Sequence, residues 1–145
     1  MSHQVRAPVG ADVPVLVALT EALGYPCSEP DLHERLSRLS AVPGQVVFVV
    51  TDATDCPLGW VHAFEGIQLT SPPFVEIAGL VVDEQAQGQG LGKMLVDAVA
   101  AWAKGRNVAR LRVHTRICRE GAHHFYVRQG FMQMKTQHVF QCELK

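Results

Sequence analysis

A glycine-rich turn between an apolar strand and a helix constrains this chain more than any other segment. Residues 82–95 read Val-Asp-Glu-Gln-Ala-Gln-Gly-Gln-Gly-Leu-Gly-Lys-Met-Leu, with glycines at 88, 90 and 92. Because glycine has no side chain, the backbone can approach a bulky ligand here and point its N–H groups toward it. The helix that follows adds about half a positive charge at its N-terminus. The segment therefore predicts a binding site for a phosphate or pyrophosphate group.

Two common phosphate-binding motifs do not match this turn. The dinucleotide fingerprint would need a third glycine at the position of Lys93. The P-loop would need glycine at Gln87 and, after the lysine, a serine or threonine at Met94 to hold magnesium. These mismatches exclude both motifs and, with them, an ordinary nucleotide-binding domain.

A different pattern fits two separate segments. Residues 87–92 read Gln-x-x-Gly-x-Gly after an Ile-x-x-Leu-Val-Val strand, which resembles the acyl-CoA pyrophosphate loop of the GNAT acetyltransferase superfamily. Residues 122–131 read Ala-His-His-Phe-Tyr-Val-Arg-Gln-Gly-Phe and are similar to that superfamily's A-x-x-F-Y-x-x-x-G-F segment. The two segments occur in the family's order, one helix and one strand apart. The resemblance covers about residues 76–131 and implies an acetyl-CoA-dependent N-acetyltransferase.

The pattern of apolar residues, turns and helix caps predicts a mixed α+β fold in one domain, residues 1–145, a length suited to a single core. We expect strands at 4–7, 46–50, 58–66, 74–82 and 110–115, with the prolines at 72 and 73 breaking the chain before the fourth. Residues 132–143 should form the last strand or a bent pair of strands. We expect helices that start at Asp12, with Asp12 as the N-cap, at 28–31, at about Gly90 and at Arg119. The third should stop at Gly105. The family resemblance implies a central, mostly antiparallel sheet that splays at one place, flanked by about four helices.

The composition limits which classes of partner the protein can bind and where in the cell it is expected. A net charge of −1 and a pI near 6.6 argue against sequence-independent binding of nucleic acid. No apolar run approaches the roughly 18 residues of a membrane span and no signal pattern precedes the first helix, so we expect a cytoplasmic protein without membrane contact. The four cysteines show no metal-ligand spacing, and we expect no metal site. The sequence leaves the oligomeric state open, a homodimer included.

Glu76 is the only charge on the apolar strand at 74–82. An unpaired charge there is costly unless it faces a polar cavity or has a partner. The resemblance implies that Glu76 contacts the substrate amine and acts as general base, often through water. The alternative is a glutamate in solvent at the strand entrance, because Pro73 is only three residues away.

Tyr126 follows Phe125 on the last predicted helix, so about 100° separates their side chains and one can face a cleft while the other faces the core. The resemblance implies that Tyr126 is the general acid that protonates the departing thiolate. With ordinary pKa values of about 10 for the phenol and about 8.5 for a thiol, that transfer is uphill by about 2 kcal/mol. The alternative is that Tyr126 only packs on the coenzyme.

The resemblance also implies the coenzyme contacts. Pantetheine pairs with backbone groups of Leu80, Val81 and Val82, where the strand bulges and parts from its neighbour, and an N–H near Gly79 and Leu80 stabilises the oxyanion. The pyrophosphate lies on the loop formed by Gln87, Gly88, Gln89, Gly90, Leu91, Gly92 and Lys93. Many family members carry a coenzyme-contacting asparagine before the last helix; residues 115–121 contain none, so we expect Arg116 or Arg119 to contact the coenzyme instead.

The acceptor can be narrowed only by class. Residues 119–126 resemble small family members such as aminoalkylphosphonate and aminoglycoside N-acetyltransferases, which implies a small amine that attacks acetyl-CoA directly. The first two helices line the acceptor site in the family, so Tyr25 between them is a candidate substrate contact or, alternatively, a tyrosine buried under a loop. A different functional class also stays open: a coenzyme-A-binding module that has lost catalysis and serves as a sensor.

Overall fold

The structure, a computed structural model, describes residues 2–145. It divides into two compact units, Met1–His114 and Thr115–Lys145, and each is described by itself. The first unit contains a five-stranded sheet with the order β1-β2-β3-β4-β5. Its strands are β1 (Gln4–Arg6), β2 (Gln45–Thr51), β3 (Pro57–Gln68), β4 (Ser71–Val82) and β5 (Leu111–Val113). All neighbours pair antiparallel except β4 and β5, which are parallel, so the predicted mostly antiparallel α+β sheet is confirmed.

Three helices belong to the first unit and one to the second. They are α1 (Val13–Leu23), α2 (Glu29–Ala41), α3 (Leu91–Gly105) and α4 (Glu120–Arg128). Gly24 ends α1 in the left-handed conformation, and Ser28 caps α2 by accepting from the Asp31 N–H at 3.2 Å. None of the helices in residues 2–145 is long and apolar enough to cross a membrane.

The sheet of the first unit is covered on both faces. On one face, Leu16 and Leu19 of α1 pack with Val49, and Trp60 and Val81 adjoin this cluster. Side chains alternate along a strand, so Val61, the neighbour of Trp60, points to the opposite face. Val50, Val61 and Ala63 on that face are fully buried, and α3 packs against β2, β3 and β4. β4, the strand that contains Glu76, thus lies in the middle layer, between β3 and the edge strand β5.

The position of the Trp60 ring explains why residue 79 of β4 is a glycine. Its indole N–H donates to the Thr20 hydroxyl at 3.2 Å, which holds the ring over the sheet. A Cβ at Gly79 would lie 2.9 Å from that ring, closer than carbon atoms tolerate. Gly79 therefore lets the indole lie against β4.

Asp12 ends the turn before α1 but does not cap it with its side chain. Its carboxylate accepts two bonds from the Arg6 guanidinium, at 2.8 and 3.0 Å, and one from the Val9 N–H at 2.8 Å. The Arg6 guanidinium holds the pKa of Asp12 below its usual range. The predicted capping role of Asp12 is thus replaced by a partly buried ion pair that ties β1 to the start of α1.

Three predicted boundaries are wrong. Pro72 and Pro73 lie inside β4 rather than before it. The pairing with β3 is irregular between Ser71 and Phe74, and the pairing with β5 starts only at Val75, so the prolines are not needed as ladder donors there. The strand predicted at 110–115 is limited to Leu111–Val113. Helix α3 includes Gly105, and the chain turns instead at Asn107, whose φ is 61°.

The strand predicted at 132–143 is also wrong. No residue from 131 to 145 belongs to a strand, and Met132, Met134 and Phe140 are exposed by 86%, 75% and 91%. The alternation of apolar and polar side chains is real. A strand, however, forms only where a neighbouring backbone pairs with it, and the sheet of this chain ends at β5.

Candidate functional site

The sheet splays at β4, next to its edge strand β5. On the β3 side the register jumps from Ala63↔Ile77 to His62↔Gly79, so Ala78 is inserted as a bulge. On the other side the pairing with β5 stops at Ile77↔Val113. Among residues 2–145, the second half of β4 therefore pairs with β3 on one side and with no strand on the other, as the family resemblance implied.

The direction of the free backbone groups follows from one hydrogen bond. The Asp83 N–H donates to the Leu58 carbonyl at 2.7 Å, so Asp83 faces β3. Because backbone groups alternate along a strand, those of Leu80 and Val82 face the other, open side. The side-chain amide of Gln87 approaches the Val82 carbonyl at 3.4 Å, which brings the start of the glycine loop to the end of β4. An extended ligand could therefore pair with Leu80 and Val82 as an added strand does.

The glycine loop presents unpaired amides at the start of α3. Gly88 and Gly90 have φ values of 83° and 79°, a left-handed conformation that favours glycine. The first helical bond runs from the Met94 N–H to the Gly90 carbonyl at 3.1 Å. Among the described residues, none accepts from the N–H groups of residues 91–93. The loop is exposed and open, so an anion can reach these donors.

Two predicted coenzyme contacts have other neighbours in the structure. The Lys93 ammonium contacts Asp97, four residues further along α3, at 2.7 Å, and both side chains are more than half exposed. The side chain of Val81 packs against the cluster of Leu16, Leu19 and Val49, so only its backbone is near the open side of the sheet. The exposed ion pair between Lys93 and Asp97 is weak, so the Lys93 ammonium can turn to another anion.

Glu76 lies on β4 two residues before the bulge. Its side chain is 17% exposed, and its carboxylate lies 3.6 Å from the Nε2 atom of His114, just past β5. The Glu76 carboxylate is therefore on the sheet with a partner and not in solvent at a strand entrance. The Arg112 guanidinium, on the same face, is directed instead over the Phe74 ring, 3.9 Å from its centroid.

The contact between His114 and Glu76 was not predicted from the sequence. The sequence places it on a strand that alternates apolar and polar residues, but the parallel register decides which β4 residue it approaches. Glu76 pairs with Arg112, and His114 is two residues further on the same face. The contact between His114 and Glu76 depends on the parallel pairing of β4 with β5, which was not predicted from the sequence.

The other histidine of these strands is engaged elsewhere. The Nε2 atom of His62 lies 2.7 Å from the Gln45 side-chain oxygen, and burial lowers the pKa of His62, so the ring is neutral near pH 7. Across residues 2–145, no cluster of three or more His, Cys, Asp or Glu side chains could hold a metal ion.

Tyr126 and Arg119 belong to the second unit. The Tyr126 ring packs edge-on against Phe125 and Phe131, with centroids 5.0 and 5.3 Å apart. Burial raises the pKa of Tyr126 to about 12, and the nearby Arg119, at the start of α4, opposes that effect. The phenol is thus protonated at neutral pH, but proton transfer to a thiolate is uphill by about 5 kcal/mol rather than about 2 kcal/mol.

Tyr25 lies in the turn between α1 and α2 and is 54% exposed. The alternative of a tyrosine buried under a loop is therefore wrong. The first unit thus brings together on or next to β4 the predicted residues Glu76, Leu80 and Val82 and the loop at 87–93. A splayed strand followed by free helix amides can hold an extended chain and an anion at its end.

These features define an acyl-CoA-binding acetyltransferase, and comparison with known proteins agrees. The family model described as "Acetyltransferase (GNAT) family" matches residues 15–131, so the chain belongs to the GNAT acetyltransferase family. Proteins of this family are N-acetyltransferases that use acetyl-CoA as co-substrate. No curated protein matches the chain.

Solved structures share the fold over nearly the whole chain. A protein from Agrobacterium tumefaciens str. C58, provisionally described as an acetyltransferase, is 25% identical with a TM-score of 0.84, over 96% of this chain and 99% of that one. The aminoglycoside antibiotic 6'-N-acetyltransferase AAC(6')-Ih from Acinetobacter baumannii is 15% identical with a TM-score of 0.86, over 99% and 100%. AAC(6')-Iy, solved with a CoA bisubstrate analog, is 14% identical with a TM-score of 0.87, over 99% and 100%.

Proposed function

We propose that this protein acetylates a primary amine of a small molecule, and that the amine attacks acetyl-CoA directly in a ternary complex. The observation that supports this most is the open half of β4, which continues into the free amides of the glycine loop. β4 thus offers backbone groups that can pair with pantetheine and, nearer its other end, the Glu76 carboxylate for the amine. The glycine loop after β4 offers N–H donors for the pyrophosphate. We further propose that residues 1–145 act as a single acetyltransferase domain.

Coenzyme binding follows the direction of the free backbone groups. The groups of Leu80 and Val82 hold pantetheine as an added strand, and Val81 contributes through its backbone alone. The amides of residues 91–93, with the open turn at Gly88 and Gly90, hold the pyrophosphate. Gln87 and Gln89 flank this anion site, and Lys93 adds charge near it. Arg119 or Arg116 supplies a further contact in place of the absent asparagine.

The thioester carbonyl would be polarised by a backbone donor. The Leu80 N–H faces the open side of β4, where the acyl end of the coenzyme would lie. A donor fixed in this way needs no rearrangement when charge develops on the oxygen, and it contributes about 3 kcal/mol to the barrier reduction. The bulge at Ala78 supports this role because it sets the direction of the residues that follow.

Glu76 would accept a proton from the amine, directly or through water, and would also contact the bound substrate. Its low exposure and its single histidine neighbour support this role, since a carboxylate on a mostly apolar strand needs a polar function. His114 would act as a positioning residue that orients the carboxylate. Tyr25, exposed between α1 and α2, would contact the acceptor.

Tyr126 would deliver a proton to the departing thiolate. Burial keeps the phenol protonated, which is the state that a general acid needs. The alternative role, packing on the coenzyme without proton transfer, would leave the same ring in the same place. The two roles differ in the hydroxyl alone, so a phenylalanine variant separates them.

The decisive experiment measures thiol release when acetyl-CoA is mixed with a panel of small primary amines, including aminoalkylphosphonates and aminoglycosides. We expect release with at least one amine and intersecting initial-velocity lines, as for a ternary complex. Intact-mass analysis without an acceptor should show no acetylated protein, which would exclude exposed Cys118 as a covalent carrier. Tight acetyl-CoA binding without release for any amine would favour the alternative, a coenzyme-A-binding sensor.

Two further aspects stay predictions from the sequence. We propose a cytoplasmic location and no nucleic-acid partner, which rest on composition alone. A homodimer is compatible with the proposed activity.

A further inference from the structure

Arg112 and Glu76 are neighbours of opposite charge that do not bind each other. They lie side by side on the parallel strands β5 and β4, on the same face of the sheet. The Glu76 carboxylate approaches His114 at 3.6 Å, whereas the Arg112 guanidinium lies over the Phe74 ring, 3.9 Å from its centroid. Neighbouring strands are only about 4.8 Å apart, so an ion pair between Arg112 and Glu76 is within reach of both side chains. The structure instead keeps a negative and a positive group separate on one face.

The Phe74 ring fixes the position of the guanidinium. Phe74 is 2% exposed, and its ring lies so close to Gly66 of β3 that a Cβ at Gly66 would be 2.3 Å from a ring carbon. The ring is therefore held against the sheet. A guanidinium over such a ring is attracted to its π face, but this contact uses none of the N–H groups in a conventional hydrogen bond.

The N–H groups of Arg112 are available to a ligand. A guanidinium carries five N–H donors, and among residues 2–145 those of Arg112 have neither a hydrogen-bond acceptor nor a carboxylate partner. The residue is only partly exposed, so water reaches it incompletely. Guanidinium groups bind carboxylates and phosphonates through two parallel N–H···O bonds, which are stronger than bonds between neutral groups. Arg112 can therefore bind an anion next to Glu76.

The distance between the two groups limits the kind of ligand. Phe74, which carries the guanidinium, and Glu76 are two residues apart on β4, which corresponds to about 7 Å along an extended strand. An amine at Glu76 and an anion at Arg112 would therefore be separated by several bonds. An ω-amino acid or an aminoalkylphosphonate has such a separation, whereas the two groups of an α-amino acid are too close together. A polycation would bring an ammonium next to the guanidinium.

We propose that Arg112 is a specificity-determining residue that binds an anionic group of the acceptor. The preferred acceptors are then linear primary amines that carry a carboxylate or a phosphonate at the far end. This inference rests on the proposed function, because it takes Glu76 as the residue that contacts the amine. The same guanidinium disfavours acceptors with several ammonium groups, aminoglycosides included.

Matched acceptors isolate the contribution of the anion. 4-Aminobutyrate and 4-aminobutanamide have nearly the same size and differ in charge, and 1,4-diaminobutane places an ammonium at the same end. We expect wild type to have a kcat/KM at least about thirtyfold higher for 4-aminobutyrate than for 4-aminobutanamide, and lower still for 1,4-diaminobutane. 3-Aminopropylphosphonate tests whether a phosphonate serves as well as a carboxylate. Glycine, in which the two groups are adjacent, should be a poor acceptor.

Arg112→Gln should remove this preference and leave the two kcat/KM values within about threefold of each other. Arg112→Lys keeps the charge but not the planar fork, so the preference should fall by less than about tenfold. The readout is a ratio measured in one protein sample, and it is therefore independent of how much of a variant is folded.

Arg106→Gln is the matched control. Arg106 also lies over an aromatic ring, 5.2 Å from the Trp102 centroid, but it pairs with Glu65 at 2.8 Å on the opposite face of the sheet. We expect its preference for 4-aminobutyrate to equal that of wild type.

Acceptor affinity, measured by calorimetry with the protein saturated with coenzyme A, separates this inference from the proposed function. If 4-aminobutyrate binds more tightly than the amide, this difference depends on Arg112 and no amine is acetylated, the anion site holds and the proposed function fails. Equal acetylation of charged and neutral amines, or a preference that persists in Arg112→Gln, would overturn the anion site and leave the proposed function intact. Absence of both binding and acetylation for every anion-bearing amine would also overturn the anion site.

Discussion

The Glu76 carboxylate lies 3.6 Å from Nε2 of His114, across the parallel pair β4 and β5. This contact is at the last stretch where the two strands are still paired, directly before β4 bulges and loses its neighbour. The proposed base is thus held by the rigid part of the sheet, and the proposed coenzyme site begins where the pairing ends.

Glu76→Gln tests the proposed base. We predict that the rate falls by about 10²-fold or more at pH 7, because the amine is then mostly protonated and needs a base. At high pH, where solvent has already removed that proton, the deficit should shrink at least about tenfold. The kcat/KM profile from pH 6.5 to 10 is the measurement.

Glu65→Gln is the matched control for that variant. Glu65 is also a strand glutamate of 17% exposure, but it lies on the opposite face and pairs with Arg106 at 2.8 Å. We expect its activity to be close to wild type at every pH. A loss in Glu76→Gln that does not change with pH would assign Glu76 a structural role.

His114→Gln should have a smaller effect than the loss of the carboxylate. The ring is 61% exposed and the contact is long, and such pairs contribute about 0.2 to 1 kcal/mol. We therefore expect a decrease in kcat of less than about fivefold with the acetyl-CoA dissociation constant unchanged. A loss as large as that of Glu76→Gln would mean that His114 itself exchanges the proton.

Gly90→Glu tests the anion site. A Cβ at Gly90 meets open space, so the carboxylate would lie where the pyrophosphate is proposed to bind, and acetyl-CoA binding should fall at least about 100-fold by calorimetry. The φ of 79° adds a backbone penalty of about 1 to 2 kcal/mol for any side chain.

Gly24→Glu controls for that penalty. Gly24 has a φ of 110°, also borders open space, and ends α1 rather than starting α3. It should lose similar stability and keep its affinity for acetyl-CoA. Equal affinities in the two variants would remove the anion-site interpretation.

Asp12→Asn tests the ion pair at the start of α1. The pKa of Asp12 is lowered in the folded state, so its contribution to stability is present above the ordinary carboxyl pKa of about 3.9 and is lost as pH falls through the folded value. We predict a loss of about 2 kcal/mol at pH 7 and a weaker acid dependence below pH 4, measured by urea unfolding.

Asp55→Asn is the comparison for Asp12. Asp55 binds the same Arg6 at 2.9 Å but is 67% exposed, so its removal should cost less than about 1 kcal/mol. Equal losses in the two variants would show that burial does not distinguish the two pairs.

Local signals made much of the fold predictable. Gly24, Ser28 and the glycine loop mark chain reversals that depend on neighbouring residues alone, and the structure has α1, α2 and α3 at those places. The family resemblance added the bulge and the splay, which no local pattern contains. The strand predicted at 132–143 was wrong because the alternation of apolar and polar side chains is a local pattern, whereas a strand also needs a partner backbone.

The contacts of the site depend on register and burial, which the sequence does not contain. The approach of His114 to Glu76 required the parallel pairing of β4 with β5. The pKa of Tyr126 required its burial between Phe125 and Phe131, since a helical position alone gives only the direction of a side chain. The residue types thus indicated the candidate site residues, and the packing of the fold determined which residues they contact.

Tyr126→Phe removes one hydroxyl and keeps the ring, so its packing against Phe125 and Phe131 should persist. We predict a fall in the chemical step of 10²- to 10⁴-fold, the usual contribution of a general acid. The acetyl-CoA dissociation constant should change less than about fivefold, since one hydrogen bond contributes about 1 kcal/mol. Single-turnover kinetics on a good acceptor are required because slow product release could hide the step.

The pH dependence of wild type gives a second readout for Tyr126. Because burial raises its pKa to about 12, the phenol should stay protonated beyond pH 10, and ionisation of Tyr126 should not lower the single-turnover rate in that range. A decline centred near pH 10 would mean that the hydroxyl titrates as an exposed phenol does. A Phe variant within threefold of wild type would mean that water protonates the thiolate and that Tyr126 shapes the cleft, because the only atom removed is the proposed proton donor.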